Sequence, residues 1–398
     1  MAGQLRRILA LEDFEGAARR HLPRPLFGFV AGAAETDAAL HANRAAFAEH
    51  AFIPRVLVDS SARTAATTLF GERFAAPFGI APMGASALVA YRGDLVLARA
   101  AAAARIPFIL SGSSLIRLED VACAGGAPWF QAYVPGEPAR IEALLDRVAA
   151  AGFGTLVLTV DVPVSANREN NVRNGFTMPL RPGPRLAWDG VKHPSWLWRT
   201  AARTLLRHGM PHFENMMASR GAPILARELE RQFGARETFA WPHLEAIRKR
   251  WPGRLVVKGI LAAQDARRVR EVGADGVVVS NHGGRQLDYA LAPLRALPAV
   301  RAVAGDMVVM LDGGVRRGTD VLKALALGAD FVFVGRPMLF AAAIAGEPGV
   351  AHAIRLLREE IERDMALLGI TLLAEMTQAL LARSCGPNTE SRAERPTS

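Results

Sequence analysis

The sequence predicts an α/β fold, a (β/α)8 barrel, on three observations. Eight short apolar runs recur along the chain, each followed by a segment with helical spacing. The runs are apolar throughout rather than alternating, which suits parallel strands covered on both faces. The residues that follow the runs are polar, whereas those that precede them are Gly, Ala and Pro turns. Barrels place their chemistry at the C-terminal strand ends, so this asymmetry favours an enzyme. An open doubly wound sheet is the competing arrangement.

Taken in order, residues 1–76 precede the first run and read as a helical N-terminal extension. The opening MAGQLRRILALEDFEGAARRHL has acidic residues where a signal peptide needs an apolar core, so export is not expected. The runs fall at 78–81, 107–110, 129–131, 155–160, 255–258, 276–279, 307–311 and 331–334. Between them, segments such as 93–105, 139–151, 264–272 and 319–327 read as helices. Several end on glycine (AAAGFG, REVGADG, LALGAD), where a left-handed cap is expected. The barrel spans 77–382 and is interrupted by an insertion at 177–240, far longer than an ordinary loop. The polar tail, 384–398, reads as disordered.

At 398 residues with 51% apolar and 22% charged side chains, the chain can bury a large core, which excludes global disorder. Cys123 and Cys385 provide neither a disulfide framework nor a metal-ligand spacing, so a reduced intracellular compartment and no metal are expected. No run of about 18 apolar residues exists, so no transmembrane helix is expected. The net charge of +10 and pI near 10.6 fit an anionic membrane surface, an anionic substrate, nucleic acid or simple solubility. The arginines are spread without interleaved aromatics, so nucleic acid is not an expected partner.

Two glycine-rich stretches follow the last two runs: LDGGVRRGTD (311–320) and VGRP (334–337). Backbone N–H groups at such turns, with a helix N-terminus behind them, suit a phosphate, and Arg316 and Arg336 would add charge. Two tight turns are the plainer alternative. Lys258 ends the fifth run; it could serve as a Schiff-base nucleophile, a phosphate ligand, a cation beside a cofactor ring, or a snorkelling edge lysine. The sixth run ends in SNHGGRQLD (280–288). His282 there can act as a general base if a carboxylate holds its tautomer, and Asp161, in LTVDVP, is the candidate partner. Arg285 offers a planar fork for a substrate carboxylate, and Arg168, in SANREN, a second clamp. A capped turn at His282 and a solvated loop at Arg168 are the competing readings.

Together SNHGGRQLD, LDGGVRRGTDVLKALALGAD, VKGI, LTVDVP and HANRAAF resemble the FMN-dependent 2-hydroxy-acid dehydrogenases and oxidases, over about residues 22–382 apart from the insertion. The resemblance implies a (β/α)8 fold with FMN as cofactor. It makes His282 the base and Asp161 its partner, with Tyr133, Arg168 and Arg285 on the substrate. Lys258 would face the flavin ring. Pro82, Met83, Gly84, Ser111, Gln131, Thr159 and Ser280 would contact the ring or ribityl chain, and Asp312, Gly314, Arg316, Gly335 and Arg336 the ribityl and phosphate. A homo-oligomer, a tetramer, is implied as well.

This chain also departs from the resemblance. Phe29 stands where a tyrosine usually reaches the substrate carboxylate, and APMGAS replaces the commoner APTAM after the first run. Ser113 and Ser165 stand at pocket positions that are bulkier in glycolate oxidases, which suggests a larger substrate. The insertion carries Trp188, Trp196 and Trp198 beside Arg199, Arg203 and Arg207, whose spacing of four places them on one helix face. Residues 181–236 hold ten Lys or Arg against four Asp or Glu, +6 of the total +10. That pattern reads as an interfacial membrane segment, with an active-site lid as the alternative. The reading is therefore FMN-dependent oxidation of a lactate- or mandelate-like L-2-hydroxy acid to the 2-keto acid. Electrons would pass to quinone or another carrier, and the protein would be cytoplasmic or peripheral on the inner face of the cell membrane. The principal alternative is a soluble oxidase that reduces O2 to H2O2. An FMN-dependent isomerase and an idle flavoprotein are the competitors from other classes.

Overall fold

The computed structural model describes residues 2–177, 180–181, 183–226 and 236–384. All eight apolar runs are strands: β1 (Phe78–Ile80), β2 (Ile109–Ser111), β3 (Trp129–Ala132), β4 (Thr155–Thr159), β5 (Arg254–Ile260), β6 (Gly276–Val279), β7 (Val308–Asp312) and β8 (Phe331–Val334). They pair in parallel from β2 through β8, and β8 pairs with β1 at Val332↔Phe78 and Val334↔Ile80. The ring closes where the Ile80 N–H donates to the Pro107 carbonyl at 2.9 Å, a bridge between Ile80 and Phe108. Closure excludes the open sheet. The inner wall is packed by Ile109, Trp129, Val157, Val256, Val278, Met310, Phe331 and Phe333. The outward residues meet the surrounding helices in one large core. Burial on both faces is why the runs are apolar without alternation.

The helices that follow the strands end where the glycines foretold, with Gly152, Gly273 and Gly328 at φ of 86°, 83° and 107°. The N-terminal extension is only partly helical, which corrects the expectation for residues 1–76. Helices Asp13–His21, Arg24–Ala31 and Ala38–Ala48 lead into a strand, His50–Phe52, that pairs with Leu381–Arg383. A hairpin follows, Thr67–Leu69 with Glu72–Phe74, turning at Phe70-Gly71 with both residues at positive φ. Its Leu69, Phe70 and Phe74 plug the N-terminal end of the barrel against the inner cluster. Three-residue strands are too short for a period-two pattern to reveal them.

In the insertion, helix Pro184–Lys192 is followed by Pro194–Trp196, a π-helical turn Leu197–Ala202 and helix Arg203–His208. Trp196 anchors it to the barrel by donating Nε1–H to the Leu88 carbonyl at 2.9 Å. Arg203 lies over the Tyr91 ring, 4.0 Å from its centroid. The disordered tail expected at 384–398 falls outside the described residues except for Ser384. Among the described residues, no helix is long and apolar enough to cross a membrane.

Candidate active site

The strand β6 end explains its own composition. His282 has φ of 59°, and Gly283 and Gly284 have 65° and 77°, so three consecutive residues are left-handed. A histidine in that region costs of order 1–3 kcal/mol, and the surrounding structure must hold it there. Asn281 does so: its side chain exchanges two hydrogen bonds with Asn43, at 2.8 and 2.7 Å, and accepts from the Gly284 N–H. A side chain at Gly284 would lie 2.6 Å from the Leu40 backbone nitrogen, so only glycine fits. Asp288 closes the motif by accepting from the Thr36 and Ala39 N–H groups that open helix Ala38–Ala48. Burial alone would raise its carboxyl, but Thr36 and the backbone donors hold its pKa at about 2.

The turn carries His282 to the C-terminal mouth of the barrel, against Asp161 beyond β4 and Tyr133 beyond β3. His282 Nδ1 is 2.9 Å from Asp161 Oδ1, and Nε2 is 3.3 Å from the Tyr133 hydroxyl. A carboxylate only accepts, so Nδ1 carries the proton and Nε2 keeps its lone pair. Burial lowers the His282 pKa below its ordinary value and outweighs the upward pull of Asp161. The imidazole is accordingly neutral at neutral pH. Burial pushes the Asp161 carboxyl up, yet the charge and hydrogen bond of His282 prevail and its pKa is lowered. Tyr133, raised mainly by burial, stays protonated.

Lys258 is buried at the β5 end, 2.9 Å from Asp312 Oδ2, and donates to Ser280 Oγ at 2.8 Å. Burial lowers its pKa, but Asp312 and Asp161 reverse the sign, so it remains a cation. Tyr133, His282, Lys258 and Asp312 border a solvent-open cavity at the barrel mouth. Of the residues expected at the site, Pro82, Met83, Gly84, Tyr133, Thr159, Lys258, His282, Arg285, Asp312, Gly314, Arg316, Gly335 and Arg336 line it. Ser111, Gln131, Ser280, Asp161 and Arg168 stand behind that wall. Ser280 Oγ is occupied by Lys258 and the His282 N–H, and Ser111 Oγ donates to Gln131 Oε1. Ser113 and Ser165 do not line the cavity, and Ser165 is exposed, so neither supports the inference of a larger substrate.

The residues at these strand ends fit a flavin. Gln131 Nε2, Thr159 Oγ1 and Asp312 Oδ1 are buried without a hydrogen-bond partner, a costly state for so many groups in one place. With the Lys258 ammonium they supply both donors and acceptors, which the polar edge of a flavin ring requires. At the far end Gly313 and Gly314, at φ of 102° and 85°, bring bare backbone to the cavity. Helix Arg336–Ala345 starts there too, with Gly335 as its N-cap, and its amide dipoles suit a phosphate. Arg316 reaches the same end, with one guanidinium hydrogen bond, to the Val315 carbonyl.

Three arginines at the site are also held by hydrogen bonds within the protein. Arg336, which lines the cavity, donates to the Val30, Gly283 and Gly32 carbonyls at 2.9–3.0 Å and so ties the N-terminal extension to the barrel. Arg285 does the same through Nη1, to Phe29 and Gly32, and lies over the Phe29 ring. Arg168 donates to the Arg285 carbonyl and to Gln286 Oε1, and so orients Arg285 from behind. Sequence reasoning missed Asn43, Gln286 and Arg236, the last lying 4.5 Å above the Tyr133 ring. Asn43 and Gln286 lie in the HANRAAF and SNHGGRQLD motifs, whereas Arg236 carries no signal.

A barrel with such a mouth defines a class, the flavin-dependent oxidoreductases, and comparison with known proteins gives the family. The chain belongs to the FMN-dependent dehydrogenases, whose family model matches residues 18–383. It is 41% identical to an L-lactate dehydrogenase of Pseudomonas aeruginosa (strain UCBPP-PA14), over 95% of this chain and 99% of that one. Its structure resembles the monotopic membrane protein (S)-mandelate dehydrogenase with a TM-score of 0.88 at 37% identity, covering 95% of this chain and 100% of the other. A mandelate oxidase matches with a TM-score of 0.78 at the same 37% identity, covering 95% of this chain and 100% of that one. The cofactor is accordingly FMN, and the chain is an oxidoreductase acting on a CH–OH group.

Proposed function

We propose that this chain oxidises an L-2-hydroxy acid of the lactate or mandelate kind to the 2-keto acid. The observation that carries the reading is the Asp161–His282–Tyr133 chain, in which a neutral imidazole lines the cavity with Nε2 beside the Tyr133 hydroxyl. His282 Nε2 takes a proton from the substrate, and Asp161 stabilises the imidazolium that forms. The Tyr133 hydroxyl, which keeps its proton, donates a hydrogen bond to a substrate oxygen. Arg285, held by carbonyls through Nη1, turns the rest of its fork to the carboxylate, and Arg168 positions it. When bound, FMN would supply the two-electron acceptor, and Lys258 would hold a fixed positive charge beside it.

The acceptor is a membrane quinone, and the protein works on an anionic membrane surface. Trp188, Trp198 and Leu206 of the insertion are 61%, 69% and 84% exposed, among arginines that are exposed as well. A lid would turn that apolar side to the barrel. Apolar insertion and about 1 kcal/mol per basic group suffice for reversible binding. The homo-tetramer implied by resemblance belongs to the same reading. Two measurements test it. Anaerobic addition of L-lactate or (S)-mandelate should bleach the flavin spectrum. Sedimentation with vesicles of anionic phospholipid should carry the protein down, less so as salt rises. An unbleached flavin refutes the activity. Full sedimentation failure at low salt refutes the membrane and favours the O2-reducing alternative.

A further inference from the structure

A second, solvent-open cavity, almost wholly apolar, lies between the insertion and the barrel. Two segments of chain face both cavities. In helix Arg24–Ala31, Pro25 and Leu26 line the apolar cavity while Phe29 and Val30 line the active site. Beyond β1, Met83 and Gly84 line the active site while Ala87 and Leu88 line the apolar cavity. Between them Phe29, on the active-site side, stacks on Phe176, on the apolar side, with ring centroids 4.4 Å apart and planes 25° from parallel. Two aromatic rings thus stand between the cavities.

The outer rim belongs to the surface proposed to meet the membrane. Leu205 and Met210 line the cavity yet are 51% and 37% exposed, so it opens beside Leu206 and the insertion's exposed apolar side chains. A molecule dissolved in the bilayer could enter without crossing water. Within the cavity wall, the Thr204 hydroxyl is buried and has no hydrogen-bond partner. An acyl chain offers that hydroxyl nothing, whereas a quinone carbonyl would accept from it and so relieve an unpaired buried polar group.

We infer that the apolar cavity seats the lipophilic quinone, its ring toward the Phe29–Phe176 pair and its isoprenoid chain toward the rim. This rests on the reading above that a quinone is the acceptor. The hydroxy acid loses two electrons and two protons to become the keto acid. The quinone gains two electrons and two protons to become the quinol, and the flavin ends oxidised as it began. The separation by Phe29 and Phe176 lets both substrates be held at once, so quinone need not wait for the keto acid to leave.

The test uses FMN-loaded enzyme with Ala201→Phe, which fills the cavity, and Thr204→Val, which removes only the hydroxyl. Flavin reduction by the hydroxy acid, and reoxidation by a small water-soluble dye, should stay within about twofold in both variants. Reoxidation by a short-chain ubiquinone analogue should fall roughly tenfold or more in Ala201→Phe and severalfold in Thr204→Val. Quenching of tryptophan fluorescence by the same quinone in the oxidised enzyme should saturate in the wild type and weaken in parallel. Unchanged quinone reoxidation and quenching in both variants overturns the proposal and leaves the cavity to lipid chains. A wild-type enzyme reduced by the acid but never reoxidised by quinone overturns the underlying choice of acceptor instead. If Ala201→Phe fails to fold, Thr204→Val decides.

Discussion

Replacing Asp161 with Asn removes the charge beside His282 while keeping a side chain of the same size. The contact is 2.9 Å between Nδ1 and Oδ1. With charge centres ~4 Å apart and an effective dielectric of ~20, carboxylate and imidazolium attract by about 4 kcal/mol. That attraction exists only after His282 has taken the proton, so it lowers the barrier rather than tightening substrate binding. Its loss corresponds to as much as roughly a thousandfold in rate. The direction of the pH effect follows from the same contact. Burial lowers the His282 pKa and Asp161 raises it, so removing Asp161 lowers it further. The base works neutral, and the rate falls as pH drops through its pKa. In Asp161→Asn the acidic limb should therefore move to lower pH while the plateau drops by about two to three orders of magnitude. Stopped-flow measurement of anaerobic flavin reduction against pH shows both, with FMN content confirming that the site is intact. An unchanged plateau, or a limb displaced to higher pH, would refute the reasoning.

Lys258→Met leaves Asp312 buried without its cation and should cost about 3–5 kcal/mol of stability, read from denaturant unfolding of the apoprotein. Adding Asp312→Asn should restore part of that, and a double variant no more stable than the single one would show that the pair is not coupled. Arg285→Lys cannot reproduce the fork that meets both the Phe29 and Gly32 carbonyls and a carboxylate, so flavin reduction should fall with the acids far more than with their esters. Equal losses with acid and ester would make Arg285 purely structural. Asp288→Ala strands the Thr36 and Ala39 N–H groups and should destabilise by about 1–3 kcal/mol near neutral pH. The wild-type carboxyl has its pKa depressed from 3.8 to about 2, so its contribution is full above 3.8 and is lost as pH falls toward 2. Thermal melts of the two proteins should converge over that range.

The strands, their parallel order and the identity of the barrel mouth are legible in the residue pattern alone. A strand buried on both faces must be apolar at every position, and a strand end that faces a cavity need not be, so Val279 and His282 are distinguishable on paper. Periodicity is a local property, and those elements are long enough to show it. Which partner each polar group takes is fixed by packing between distant segments. Arg336 and Arg285 also donate to carbonyls of residues 29–32 or of Gly283, which no local pattern brings near. Arg168 meets Gln286, Asn43 meets Asn281, and Phe29 meets Phe176, each across more than a hundred residues of chain. The hairpin at 67–74 plugs the barrel although its strands are three residues long. An arginine or an amide is satisfied by any acceptor of suitable geometry, so its residue type limits its options without selecting one. The selection is made by how helix Arg24–Ala31 and the insertion settle on the barrel mouth, a matter of packing between distant segments.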